Sequence, residues 1–88
     1  MEDTFKIKTR LYNLLDEVKT KLSDENVEFI SSCIQHGEEP LALEILTTQL
    51  DEFNIPITRK FYNETVKLAK ELQLDDCYWK YLEELVKE

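Results

Sequence analysis

At positions 35–46 the sequence is QHGEEPLALEIL, and this segment contains Gly37, the only glycine of the protein. Glycine adopts a positive φ without steric cost, so Gly37 is predicted to end a helix that arrives from the preceding residues. Pro40 has no N–H to lose in the first turn of a helix, and it is predicted to begin the next one. Between them, Glu38 and Glu39 place two carboxylates where the helix macrodipole favours anions. The segment therefore predicts a helix–turn–helix corner with an acidic tip.

The negative charge of the protein is concentrated around this corner. Residues 22–58 contain no Lys or Arg, and their eight acids are Asp24, Glu25, Glu28, Glu38, Glu39, Glu44, Asp51 and Glu52. The other 11 acids are balanced by the 11 Lys and Arg residues of the flanks, so the whole net charge of −8 belongs to the central segment. We interpret this segregation as an attractive field for a basic partner. The alternative is an acidic face that only keeps the protein soluble.

Size and composition bound the class of protein. With 88 residues, of which 42% are hydrophobic and 34% charged, residues 1–88 are expected to form a single ordered domain. No apolar run approaches the ~20 residues that span a bilayer, and the N-terminal residues lack the layout of a signal peptide. Cys33 and Cys77 are far apart and are expected to be reduced thiols at apolar positions of a cytoplasmic protein. The net charge disfavours nucleic acids and anionic membranes as partners.

The apolar residues recur with helical periodicity, which predicts an all-α fold of about five helices. The expected helices cover about residues 3 or 4 to 21, 24 to 35 or 36, 40–53, 59–72, and a last one from 76 or 77 to the C-terminus. Ser23 and Thr58 are suited to cap the second and fourth helices, and Asp75 or Asp76 the last one. Short links between such helices favour successive antiparallel hairpins, in a single compact bundle or a short superhelix.

The third helix has a broad apolar arc and is predicted to be central, with neighbours on more than one side. Its buried face is expected to consist of Ala42, Leu43, Leu46, Leu50 and Phe53, widened by Leu41 and Ile45. Its polar strip is expected to consist of Glu44, Thr47, Thr48 and Asp51. On the second helix the expected core residues are Val27, Ile30 and Ile34, flanked by Phe29 and Cys33.

The aromatic residues of the last helix allow two interpretations. Trp79 is expected to pack this helix onto the core, with Tyr78 and Tyr81 at its rim, because a small domain needs large core residues. The alternative is an exposed aromatic patch that binds another protein.

The sequence offers little to catalysis. A lone histidine at a helix end, such as His36, most often bonds the last carbonyls of the helix, and it lacks the second group that a general base requires. His36 with Glu38 and Glu39 is too small a set for a zinc site. Ser31 and Ser32 have no base in reach, and a single glycine cannot form a phosphate-binding loop. We therefore predict no catalytic residue, metal, cofactor or small-molecule substrate.

Residues 35–46, together with Leu50, the Pro56 link and the helix capped by Thr58, resemble the MafI-type immunity proteins. The resemblance covers roughly residues 22–74 and rests on the corner motif G-E-x-x-L-A-L-E-x-L. It implies a small all-helical protein that binds and neutralises a cognate toxin domain, often a nuclease, inside the producing cell. In that family pattern the motif residues Gly37, Leu41, Ala42, Leu43 and Leu46 are expected to be scaffold.

The toxin contacts are predicted from local charge rather than from the family motif. They are Asp24, Glu25, Glu28, Gln35, His36, Glu38, Glu39, Glu44, Asp51 and Glu52. The expected partner is a basic toxin domain, such as a nuclease, in a one-to-one complex. The alternative is an acidic regulatory adaptor or nucleic-acid mimic that blocks a DNA- or RNA-binding protein. Both would use the same surface, so charge does not separate them. A small enzyme or metal protein is a third hypothesis.

Overall fold

The computed structural model describes residues 4–87, and their side chains from residue 6 onward. This part of the chain is all-α and folds as a bundle around one hydrophobic core. Its α-helices are α1 (Thr4–Val18), α2 (Asp24–Gln35), α3 (Glu39–Glu52) and α4 (Arg59–Glu71). Three 3-10 helices complete it, at Lys19–Lys21, Asp76–Tyr78 and Lys80–Leu85. A start of the first helix at residue 3 would lie outside the described residues.

Side-chain caps set the start of two helices, as the sequence predicts. The Ser23 hydroxyl accepts a hydrogen bond from the Asn26 N–H at 3.2 Å, and the Thr58 hydroxyl accepts one from the Phe61 N–H at 3.0 Å. Each cap satisfies one of the N–H groups that a helix start leaves without an intrahelical partner. Both α2 and α4 therefore begin where local chemistry places them.

The corner between α2 and α3 is a left-handed turn at Gly37, whose φ is +78°. The Gly37 N–H donates to the Ile34 carbonyl at 3.2 Å, and the Glu38 N–H donates to the Cys33 carbonyl at 2.9 Å. This pair of bonds is the Schellman arrangement, which closes a helix and reverses the chain. The prediction of a helix–turn–helix corner is confirmed, with α3 beginning at Glu39, one residue before Pro40.

α3 is the central helix, as its broad apolar arc predicts. It packs against α1, α2 and the C-terminal 3-10 helices. The side chains that are almost fully buried in the core come from every part of the fold: Leu11, Ile30, Ile34, Leu43, Leu46, Leu50, Phe61, Leu68 and Leu82. The C-terminal segment is thus part of the core rather than an appendage.

Three predicted core positions are wrong. Phe29 is 55% exposed, Phe53 is 57% exposed and Leu41 is 37% exposed. The i+3 spacing from Leu50 would place Phe53 on the buried face, but α3 ends at Glu52 and Phe53 is its C-cap residue. Thr47 shows the opposite error, because it is only 1% exposed although predicted in the polar strip. Its hydroxyl donates to the Glu44 carbonyl at 3.0 Å, so burial leaves no polar atom without a partner.

The predicted last helix is present, but as two short 3-10 helices rather than one continuous helix. The segment forms two 3-10 helices separated at Trp79, where φ is −143° and ψ is −17°. Asp75 holds the N-cap position but makes no side-chain cap bond. A parallel bridge joins Ile57 to Val86, with the Ile57 N–H donating to the Leu85 carbonyl at 3.0 Å and the Lys87 N–H donating to the Ile57 carbonyl at 2.8 Å.

The bridge fixes the C-terminal segment to the loop between α3 and α4. Trp79 and Tyr81 are half-buried against the core, which confirms the packing interpretation for Trp79. The Lys70 Nζ atom lies 5.9 Å from the Trp79 ring centroid and adds a cation–π contact from α4. Cys77 is exposed, so the prediction that it fills an apolar position is wrong, whereas Cys33 is buried as expected.

Candidate functional site

Most of the predicted contact acids are exposed and form what we call the acidic surface. It consists of Asp24, Glu25 and Glu28 on α2, Glu38 at the corner, Asp51 and Glu52 at the end of α3, and the half-buried Glu44 in the middle of α3. The ion pairs described in residues 4–87 all join residues outside it: Arg10–Glu71, Lys19–Asp16, Arg59–Glu83 and Lys67–Glu64. The flanks therefore neutralise part of their own charge, and the acidic surface remains without cationic partners in the described chain.

Glu39 does not belong to this surface. Its side chain is 7% exposed, and Oε2 is buried without a hydrogen-bond partner. The prediction of two exposed carboxylates at the tip is wrong because α3 begins at Glu39. The residue is then aligned, at i+4 and i+7 spacing, with the buried Leu43 and Leu46. Glu38 alone forms the exposed tip.

Gln35 and His36 are exposed at the end of α2, and both take part in hydrogen bonds of its last turn. The Gln35 carbonyl accepts a hydrogen bond from the Lys8 Nζ atom of α1 at 3.4 Å. The His36 Nδ1 atom lies 2.8 Å from the Ser32 carbonyl oxygen and donates to it in the tautomer protonated at Nδ1. These contacts confirm the interpretation of His36 as a partner of the last carbonyls.

A groove of about 530 Å³ lies beside the acidic surface. α3 forms its floor, α2 one wall and the C-terminal 3-10 segment the other. Its lining residues are Asn26, Phe29, Glu44, Ile45, Thr48, Gln49, Cys77, Tyr78 and Tyr81. The Asn26 Nδ2 atom donates to the Gln49 Oε1 atom at 2.6 Å, which joins α2 to the floor. Of the predicted contacts, only Glu44 lines this groove.

The groove has the charge of the acidic surface. Glu44 and Tyr78 both line the groove, and the Glu44 carboxylate raises the pKa of Tyr78, ahead of smaller contributions from Cys77, burial and Asp75. The lining contains no Lys or Arg. Two other hollows carry both signs: one is lined by Lys80, Glu83 and Glu84 with Cys77 and Tyr81, the other by Arg10, Lys60, Glu17 and Glu64 with Asn13 and Leu14.

Sequence reasoning missed the groove because its two walls are remote in the chain. The signal in the sequence is the aromatic pair Tyr78 and Tyr81, which helical periodicity alone places at the rim of the core. Phe29 was missed because it borders the buried face of α2 on a helical wheel. Phe29 is exposed because the groove lies between this side of α2 and α3.

The described residues contain no group of three or more His, Cys, Asp or Glu side chains placed to hold a metal ion.

Burial raises the pKa of the Cys33 thiol, and the charge of Glu38 raises it further. None of the described helices has the length and apolar character needed to cross a membrane.

No protein-family model, no curated protein and no solved structure matches the chain. Its function is therefore inferred from the residues and geometry of the acidic surface and of the groove.

Proposed function

We propose that this protein is a non-enzymatic immunity protein that neutralises a basic toxin domain by forming a one-to-one complex with it in the cytoplasm. The observation that carries the proposal is the acidic surface, whose exposed carboxylates have no cationic partner in the described chain while the flanks form four ion pairs. Grouped like charges repel one another and destabilise the fold unless a partner neutralises them.

A nuclease is the toxin class that fits this charge best. Enzymes that act on RNA or DNA bind phosphates with clustered Lys and Arg, and such a cluster is the electrostatic complement of the acidic surface. Complementary fields can raise the association rate to about 10⁸ M⁻¹s⁻¹ or more at low salt. An inhibitor that must act before its toxin does damage benefits from this rate.

Within the surface, Glu28 and Glu38 are the central candidates for ion pairs with the toxin. Glu28 is exposed on the outer face of α2, and Glu38 projects from the corner. Asp24 and Glu25 at the start of α2 and Asp51 and Glu52 at the end of α3 extend the field away from the corner, and Gln35 and His36 lie beside Glu38. Glu39 is left out of the proposed contacts because it is buried.

The test is co-expression with the toxin domain encoded by the neighbouring upstream gene. We expect the domain to arrest growth, this protein to restore it, and the two to elute as a one-to-one complex in size-exclusion chromatography with light scattering. A harmless upstream product, or toxicity without rescue and without a complex, contradicts the proposal. If a DNA- or RNA-binding regulator bound this surface instead, the protein would be a regulatory adaptor rather than an immunity protein.

Charge reversals locate the interface within that complex. Glu28→Lys and Glu38→Lys are each expected to weaken binding by about tenfold and to reduce its salt dependence, because each removes an attractive contact and adds a repulsive one. Glu17→Lys is the matched control, since it reverses an exposed acid of α1 outside the acidic surface. We expect it to change the affinity by less than about threefold.

A further inference from the structure

We propose that the groove between α2, α3 and the C-terminal segment receives an arginine side chain of the basic partner, held between aromatic rings and the Glu44 carboxylate. This inference rests on the proposed function, in that it assumes a basic protein partner. It adds a defined anchor to a surface that otherwise offers only a diffuse field.

The first observation is the shape and the chemistry of the groove. A volume of about 530 Å³ lies within the range of sites that enclose small ligands, so it accommodates one long side chain with part of its backbone. Phe29, Tyr78 and Tyr81 supply aromatic surface from both walls. Phe29 is 55% exposed although it lies on a helix that packs on the core. A large exposed ring beside a concave site is typical of an anchor for a partner.

The second observation is the charge within this aromatic site. Glu44 is half-buried and lines the groove together with Tyr78, so its negative charge lies inside the groove, where it raises the pKa of Tyr78. No Lys or Arg lines the groove to neutralise it. A cation that entered would be partly shielded from water, where an ion pair is stronger than at an open surface.

Arginine fits these two features better than lysine does. Its planar guanidinium stacks on aromatic faces and donates two parallel hydrogen bonds to one carboxylate. The lysine ammonium is a compact and strongly hydrated charge that uses only part of such a site. The lining therefore favours a guanidinium.

Two other occupants fit less well. A second copy of this chain would bring its own excess of eight negative charges to the same surface, which opposes self-association. An apolar helix would cover the aromatic rings but would bury the Glu44 charge without a cation to neutralise it, which is costly.

The test is a titration of the full, ¹⁵N-labelled chain with the probe N-acetyl-arginine amide, monitored by NMR. N-acetyl-citrulline amide is the neutral probe of nearly the same shape. We expect the arginine amide to shift the backbone signals of Phe29, Glu44, Tyr78 and Tyr81 in a saturable way, and the citrulline amide to leave them unshifted. Equal shifts with both probes, or arginine-induced shifts spread evenly over the acidic surface, would overturn the inference.

Matched variants identify the groups that hold the probe. Glu44→Gln is expected to weaken arginine-amide binding by about tenfold and Phe29→Ala by about threefold. The controls are Glu17→Gln, an acid outside the groove, and Phe53→Ala, a phenylalanine that is 57% exposed on another part of the surface. Both controls should bind like the unchanged protein. If all four variants bound equally, the groove would not be the arginine site.

The same variants separate this inference from the proposed function. A toxin complex that forms with undiminished affinity in Glu44→Gln and Phe29→Ala overturns the groove as its anchor and leaves the immunity function intact. If the arginine amide binds at the groove but the co-expression test yields no toxin partner, the groove inference stands and the immunity function is contradicted.

Discussion

Glu38 and Glu39 are adjacent in sequence but lie in opposite environments: one is exposed at the tip of the corner and the other is 7% exposed against the core. Reversing both to Lys would therefore mix a change of surface charge with damage to the fold. The structure separates the two effects, and only Glu38 can report on partner binding.

Glu38→Lys is expected to change the free energy of unfolding by less than about 0.5 kcal/mol, as surface substitutions usually do. Glu39→Lys is expected to lower it by about 2 kcal/mol or more, because a longer cationic side chain would be forced into a packed site at a helix N-terminus. Urea denaturation followed by circular dichroism measures both. Equal stability of the two variants would contradict the buried position of Glu39.

Gly37 and Gln73 both have a left-handed backbone, with φ values of +78° and +62°. Glycine adopts this conformation without steric cost, whereas the Cβ atom of glutamine makes it unfavourable. A Cβ atom at Gly37 would meet no atom within 4 Å, so Gly37→Ala carries only the backbone penalty, about 1–2 kcal/mol of lost stability. Gln73→Gly relieves the same penalty and should gain about 0.5–1 kcal/mol after the entropy cost of glycine. Thermal unfolding of both variants tests the opposite signs.

At the level of elements, α1 and α4 are joined by the Arg10–Glu71 ion pair at 2.9 Å. The hydrogen bond from Arg10 holds the pKa of Glu71 below its usual value, with a smaller opposing effect of desolvation. A lowered pKa in the folded state means that the stabilisation is complete above the pKa of the unfolded chain. It is lost as the pH falls through the folded value.

Glu71→Gln is therefore expected to lower the free energy of unfolding at pH 7 by up to about 1 kcal/mol, since the pair is partly exposed and screened. The difference from the unchanged protein should vanish below the folded pKa of Glu71. Urea denaturation as a function of pH measures it, with Glu17→Gln as the control that removes an exposed acid of α1 outside the ion pairs. A difference that persists at low pH would mean that Glu71 stabilises by packing.

How far the sequence predicts the fold differs between its elements for a physical reason. α2 and α4 begin at Ser23 and Thr58 caps and α2 ends at Gly37, so their bounds depend on chemistry within a few residues and are predicted closely. The segment 76–85 has helical periodicity, but its 3-10 form depends on docking to Ile57 and to the core. That information is not local.

In the candidate site, too, features that depend on nearby residues are predicted better than features that depend on distant ones. The acidic surface could be predicted because charge segregation is visible in the sequence, and most of its acids are exposed. Glu39 was misplaced by a shift of a single residue in the start of α3. The groove could not be predicted, because Phe29 and Tyr78 line the same groove only when two elements far apart in the chain flank α3.

At the scale of the whole molecule, the charge distribution makes the free protein sensitive to ionic strength. Its exposed central acids repel one another without compensation, so screening should stabilise the fold. Between about 0.01 M and about 0.15 M NaCl the Debye length contracts from ~30 Å to ~8 Å, and the free energy of unfolding is expected to rise by about 0.5–1 kcal/mol.

Urea denaturation at each salt concentration tests this expectation. The variant Asp24→Asn, Glu28→Gln, Asp51→Asn removes three of these charges and should show a flatter dependence on salt. Stability that falls with added salt would show that the four ion pairs of the flanks outweigh the repulsion of the central acids.

The bridge between Ile57 and Val86 has a consequence for the order of assembly during synthesis. The segment that carries Leu82, Leu85 and one wall of the groove is translated after α3 and α4, so neither the core nor the groove is complete while that segment is still inside the ribosome. The only tryptophan of the protein, Trp79, lies within it and becomes half-buried when it docks. Its fluorescence therefore reports the step at which this segment docks and completes the core and the groove.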